Sequence, residues 1–151
     1  MRTRSSSRSA KLRLSKLCRQ DPRRRQQPAD YQARCLQWGV DNEGNAAQAY
    51  LAAMQQSFPT SGYSLKECSL SVLSGHPHVA ASPDRLILIN GQPDGLLECK
   101  CPYSAEVPEQ CPQEYRIQVL AQLACHPQSA QLRYGHVYVW EPSGAALFVV
   151  P

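Results

Sequence analysis

The stretch SPDRLILINGQPDGLLECKCP, from Ser82 to Pro102, leaves the chain few ways to fold. Asn90-Gly91 stands between two apolar runs, Leu86 to Ile89 and Leu96-Leu97, which predicts a hairpin closed by a two-residue turn. The second strand then ends in Glu98-Cys99-Lys100. Side chains alternate across a strand, so Glu98 and Lys100 share one face while Leu97, Cys99 and Cys101 share the other. Asp84, in a Ser-Pro-Asp turn, arrives beside them from the neighbouring strand. Two carboxylates and the backbone carbonyl of Cys99 make a hard, oxygen-only donor set of the kind Mg²⁺ accepts, the rest of its shell being water and substrate phosphate. Lys100 would orient or deprotonate an attacking water, or offset charge on the transition state. That is the chemistry of metal-assisted phosphodiester hydrolysis. A surface hairpin with an incidental ion pair gives the same few letters, so the rest of the chain decides between them.

At 151 residues the chain is one domain's worth, with no apolar run of membrane-spanning length and no signal-peptide segment. It reads as soluble and intracellular, nucleus or cytoplasm being open. The seven cysteines (18, 35, 68, 99, 101, 111 and 125) form no CxxC pair, which disfavours a structural zinc site and fits free thiols in a reducing compartment. The net charge of +4 conceals an asymmetry. Residues 1–25 carry ten Lys/Arg against Asp21 alone, whereas the remainder carries six against eleven acidic residues. A basic arm ahead of an acidic domain suits a polyanion. A solvated tail or an Arg- and Ser-rich targeting segment would look the same.

In that arm, Ser5-Ser6-Ser7 precedes a weak helical pattern through Leu17, and Asp21-Pro22 breaks it. A short helix over Asp30–Leu36 ends near Trp38-Gly39. A second, capped by Asp41 or Asn42, runs to about Ser57 ahead of Phe58-Pro59. Glu43 falls on the stripe of Ala46, Ala47, Tyr50 and Met54, which is either a core-facing position needing a partner or an exposed first turn. Tyr63–Leu73 reads as one strand. His76 and His78, near the Ser74-Gly75 turn, read as surface residues. A helix over Gln113–Cys125 carries Tyr115, Gln118 and Gln122 on one side. Ile117, Leu120, Ala121 and Ala124 line the other; the two amides either face a catalytic cleft, where they could orient a metal-bound water or a phosphate, or form a solvated face. Arg133–Trp140 and Ala145–Val150 alternate as two strands around Pro142-Ser143-Gly144, forming the far edge of the sheet.

Four blocks in order, WGVDNEGNAAQAY (38–50), HVAASPD (78–84), LLECKCPYS (96–104) and YRIQVLAQLA (115–124), together resemble the YqaJ-type viral recombinases. These form a lambda exonuclease-like family within the PD-(D/E)XK nuclease superfamily. The final GHVYVWEPSG is similar to the family's last strand pair, and the likeness runs from about residue 31 to the end. It implies an α/β (α+β) restriction-endonuclease-like core, a mixed β-sheet flanked by helices. Residues 1–30 then form a basic arm with a short helix, or a truncated start of the domain. It implies a DNA exonuclease or recombinase acting on linear duplex DNA with Mg²⁺ or Mn²⁺, two ions per site. By position, Asp84, Glu98 and the Cys99 carbonyl would hold metal, and Glu43 a second ion or its water. Lys100 would serve the nucleophile and Gln118 would assist positioning. Ser7, Arg8 and Arg85 would contact DNA phosphate. A homo-oligomer (a ring trimer in relatives) and a strand-annealing partner are further implications.

Two features depart from the family pattern. Arg85 stands where Gly usually follows Ser-Pro-Asp, and if that position needs φ > 0 an arginine there costs about 1 kcal/mol. The usual Arg-x-Gly lead at the amino end is absent. A catalytically degenerate DNA-binding domain is therefore the rival reading, and an iron–sulfur relative needing four gathered cysteines is a second.

Overall fold

A computed structural model of the chain describes residues 29–103 and 106–151. The expected helix at Ser5–Leu17, and Ser7 and Arg8 with it, lie outside the described residues. One long helix, α1 (Ala29–Ser57), precedes β1 (Tyr63–Glu67), β2 (Ser71–Val72), β3 (Ala80–Ala81), β4 (Arg85–Ile89) and β5 (Gln92–Lys100). Helix α2 (Gln113–Cys125), a short 3₁₀ turn at Ser129–Gln131, β6 (Tyr134–Glu141) and β7 (Gly144–Val150) follow. The main sheet has the order β1-β4-β5-β6-β7, with β5 and β6 parallel and the other neighbours antiparallel. Strands β2 and β3 pair separately. A mixed sheet covered by a helix on each face is the restriction-endonuclease-like core that the sequence implied.

The hairpin forms as its turn residues require. Asn90 (φ 51°) and Gly91 (φ 77°) both take positive φ, and Ile89 pairs with Gln92. Three residues on, the register slips between Ile87 and Leu88, so Asp94 is the extra residue of a bulge. Its buried carboxylate is held by Arg133 and the Tyr134 hydroxyl at the start of β6.

Two expectations are corrected. The helices placed on either side of Trp38-Gly39 are one continuous helix. Gly39 weakens a helix by only about 1 kcal/mol, and the polar residues near it bond within the turn instead of capping a new one. Asn42 Nδ2 donates to Trp38 O at 2.9 Å and Gln37 Nε2 to Asp41 Oδ1 at 2.7 Å. The single strand expected over Tyr63–Leu73 is two, because only β1 follows β4 in register, and the chain then leaves to form β2.

The cores lie on opposite faces of the sheet. Ala46, Ala47, Tyr50 and Met54 of α1 pack on Ile87, Leu97, Cys99 and Tyr138. Val119 of α2 packs on Val137, Val139 and Val150. Of the two readings of α2 the solvated amide face is excluded: Ile117 and Leu120 point to solvent, while Val119, Gln122 and Cys125 are buried.

Close approach of α2 to the sheet depends on Gly135, since a Cβ there would overlap Val119 Cγ1. Gly135→Ala is expected to cost about 1–3 kcal/mol by overpacking. Adding Val119→Ala should recover part of that loss, which denaturant melts of the single and double variants would read. A second expectation concerns His136, whose Nδ1 lies 2.7 Å from the buried Tyr50 hydroxyl. Burial pulls this imidazole down to about 4, with Asp94 opposing. The unfolded imidazole titrates near 6.5, so below that pH the unfolded state binds the extra proton and stability falls until the pH reaches about 4. His136→Gln is expected to flatten the stability profile over that window by up to about 3 kcal/mol. An unchanged slope in urea melts would show that this imidazole is not the source.

Candidate active site

Asp84 ends the Ser-Pro-Asp turn immediately before β4, and the pairing of Arg85 with Leu97 brings it beside the end of β5. Its Oδ2 accepts a hydrogen bond from the Cys99 amide at 2.7 Å, which fixes the carboxylate against the strand. Glu98 projects from β5 toward α2, and its side chain is only 4% exposed. Lys100 Nζ donates to Glu98 Oε1 at 2.6 Å, and Gln118 Nε2 donates to the same oxygen at 2.5 Å. Gln122 Nε2 donates to Glu98 Oε2 at 2.6 Å and to the Ser82 carbonyl at 3.1 Å. Lys100 is held further by Gln118 Oε1 at 2.9 Å and lies over the Tyr115 ring, 5.2 Å from its centre. One ammonium and two amides thus surround one buried carboxylate.

The alternation read from Glu98-Cys99-Lys100 is observed. Glu98 and Lys100 meet α2, while Leu97 and Cys99 enter the α1 core. Asp84 and Glu98 come close enough to repel. Burial first, and then the charge of Glu98, push the Asp84 carboxyl up to about 7, against the Cys99 amide that holds it down. Such a desolvated carboxylate pair suits a divalent cation, which would offset the penalty that both charges bear. The donors are oxygens throughout, and Mg²⁺ needs only one or two carboxylates beside water and phosphate. Among the described residues no group of three or more His, Cys, Asp or Glu side chains is arranged to hold an ion. The described cysteines are free thiols and gather at no common site, which leaves the iron–sulfur reading without support among them.

Glu43, read either as a core-facing position needing a partner or as an exposed first turn, lies in mid-helix at the edge of the α1 stripe, half-exposed and paired. Arg85 Nη1 donates to Glu43 Oε1 at 2.9 Å and to the Asp84 carbonyl at 2.6 Å. Arg85 sits in ordinary strand geometry. Among the described non-glycine residues only Asn90 has positive φ, so the strain considered for Arg85 does not arise. Gln122 was read from the sequence as part of a polar stripe but was not placed among the site residues. The signal was its i, i+4 spacing from Gln118, which puts both amides over the same carboxylate. His76 and His78 are exposed, as expected. A hollow of about 580 Å³ lies away from the carboxylates, on the α1 side between Met54, Tyr63, Tyr134 and Val149.

With that geometry in hand, the chain can be set beside known proteins. It resembles in structure an alkaline exonuclease from Laribacter hongkongensis, with a TM-score of 0.58 and 20% sequence identity over 77% of this chain. It spans 57% of that enzyme's length. At that identity the likeness speaks for the fold. No curated protein sequence matches the chain. The model of the YqaJ-like viral recombinase domain matches residues 2–131, which include every carboxylate and amide of the site, and the chain belongs to that family.

Proposed function

We propose that this protein is a divalent-metal-dependent deoxyribonuclease, an exonuclease of the recombination type that hydrolyses phosphodiester bonds of linear duplex DNA. The observation that carries the reading is the apposition of Asp84 and Glu98, with Lys100 and Gln118 bonded to Glu98 in one network. Family membership supports DNA as the substrate. A Mg²⁺ or Mn²⁺ ion held by Asp84, Glu98 and the Cys99 carbonyl would supply Lewis-acid charge at the scissile phosphate.

The chain's own residues do the rest. The Cys99 amide fixes Asp84, and Gln122 fixes the inner oxygen of Glu98, so neither carboxylate reorganises during the reaction. Lys100, oriented by Gln118, presents its ammonium beside the carboxylates, where it can donate to the incoming water or to a phosphate oxygen. In the hydrolysis the water oxygen bonds phosphorus and the bond from phosphorus to the departing sugar oxygen breaks. The water's proton passes to solvent, and the leaving oxygen takes one from solvent. The basic arm, with Ser7 and Arg8, would track the DNA backbone, and Arg85 would meet phosphate at the site. A homo-oligomer and a strand-annealing partner belong to the same proposal, and family membership is what supports them.

One observation favours a second reading, a DNA-binding domain without turnover: the pairing of Arg85 with Glu43, which the family pattern would leave to a metal. Release of nucleotides from linear duplex DNA with Mg²⁺ or Mn²⁺ separates the two. Wild type is expected to digest DNA, and Lys100→Ala to lower the rate by roughly 10²–10⁴-fold. Asp84→Asn should remove activity yet melt no lower than wild type in metal-free buffer, because it replaces a buried, repelled carboxylate by a neutral amide. Gln122→Met should cost about 1–3 kcal/mol by leaving Glu98 Oε2 without its donor. Salt-sensitive DNA binding with no digestion by the wild type would establish the second reading instead.

A further inference from the structure

The position of Arg85 bears on how many metal ions the site can take. Its guanidinium is anchored twice through Nη1, to Glu43 Oε1 and to the Asp84 carbonyl, and its side chain is only 19% exposed. The anchor ties α1 to the start of β4 across the mouth of the site. An ion seated on Glu43 would have to share that carboxylate with a fixed cation held on its Oε1. The formal charges agree. Three carboxylates (Glu43, Asp84, Glu98) against Lys100 and Arg85 leave one negative charge, which a single divalent ion converts to one positive. That matches the one negative charge of a phosphodiester. A second ion would leave three positive charges in a space of one side chain's width.

We propose that Arg85 takes the place of a second metal ion: held between Glu43 and the Asp84 backbone, its guanidinium supplies fixed positive charge, and each chain binds one divalent ion, through Asp84 and Glu98. Among the described residues only Nη1 is engaged, so the donors on Nε and Nη2 are left for a phosphate oxygen. Glu43 is then the positioning residue for Arg85 and touches no metal. The inference rests on the nuclease reading above and narrows it.

The test is a titration of the full chain with Mn²⁺, free ion being read by electron paramagnetic resonance. It is run with and without a duplex oligonucleotide made uncleavable by phosphorothioate links. One ion per chain is expected for wild type in both conditions and for Arg85→Lys, which keeps the charge. Arg85→Ala, shown to be folded by circular dichroism, is expected to take two, and Arg85→Ala with Glu43→Gln to return to one. Two ions on wild type would overturn the inference while leaving the nuclease reading standing, and so would a folded Arg85→Ala that still takes one. No bound ion on wild type would overturn both.

Discussion

A carboxylate taken out of water governs this structure. Glu98 is nearly inaccessible to solvent, and an unpaired charge in such a place costs several kcal/mol. Its compensation comes from Lys100 on its own strand and from Gln118 and Gln122 one turn apart on α2. The demand for donors sets the rotation of the helix. Helix α2 lays its amide stripe on the sheet and leaves Ile117 and Leu120 in solvent, the reverse of what apolar burial alone would choose. Val119 and Cys125, on the same inward side, supply the apolar contact that remains.

The same arrangement keeps Asp84 uncomfortable. It is tied to Cys99 but faces Glu98, and nothing among the described residues fully offsets the repulsion between them. Sites that handle phosphate commonly carry such a stored imbalance, because a cation and a substrate relieve it together. Tyr50, Ile87, Leu97 and the valines of β6 are fully buried on the two faces.

Much of this was legible in the sequence, where local chemistry leaves one solution. Asn90-Gly91 forces the turn, alternation puts Glu98 and Lys100 on one face, and the hairpin brings Asp84 next to them, whereas the one-residue shift at the Asp94 bulge was not legible. The bounds of α2 could also be read directly, from Pro112 to the residues before Pro127. What could not be read depended on distant partners. Nothing near Gly39 reveals that Asn42 will bond backward along α1 instead of capping a new helix. Nothing in the pattern around Ile117 reveals that a glutamate from another strand will claim the opposite side of α2. Arg85 looked like a backbone problem because only its own φ could be weighed, and the structure makes it an electrostatic one, solved by a residue 42 positions earlier.

The side-chain bonds among Glu98, Lys100, Gln118 and Gln122, and the one that ties Asp84 to Cys99, join residues at most 24 positions apart, while Gln122 also reaches 40 positions back to the Ser82 carbonyl. The link from Arg85 to Glu43 spans 42. Loop closure grows costlier only slowly with separation, by about 0.6 kcal/mol for each doubling, so the long link to α1 adds little to that cost. The chemistry-bearing part of the chain is in that sense a nearly self-contained segment. The long helix closes over it through Ala46, Ala47, Tyr50 and Met54, and Arg85 adds the clasp at its polar edge.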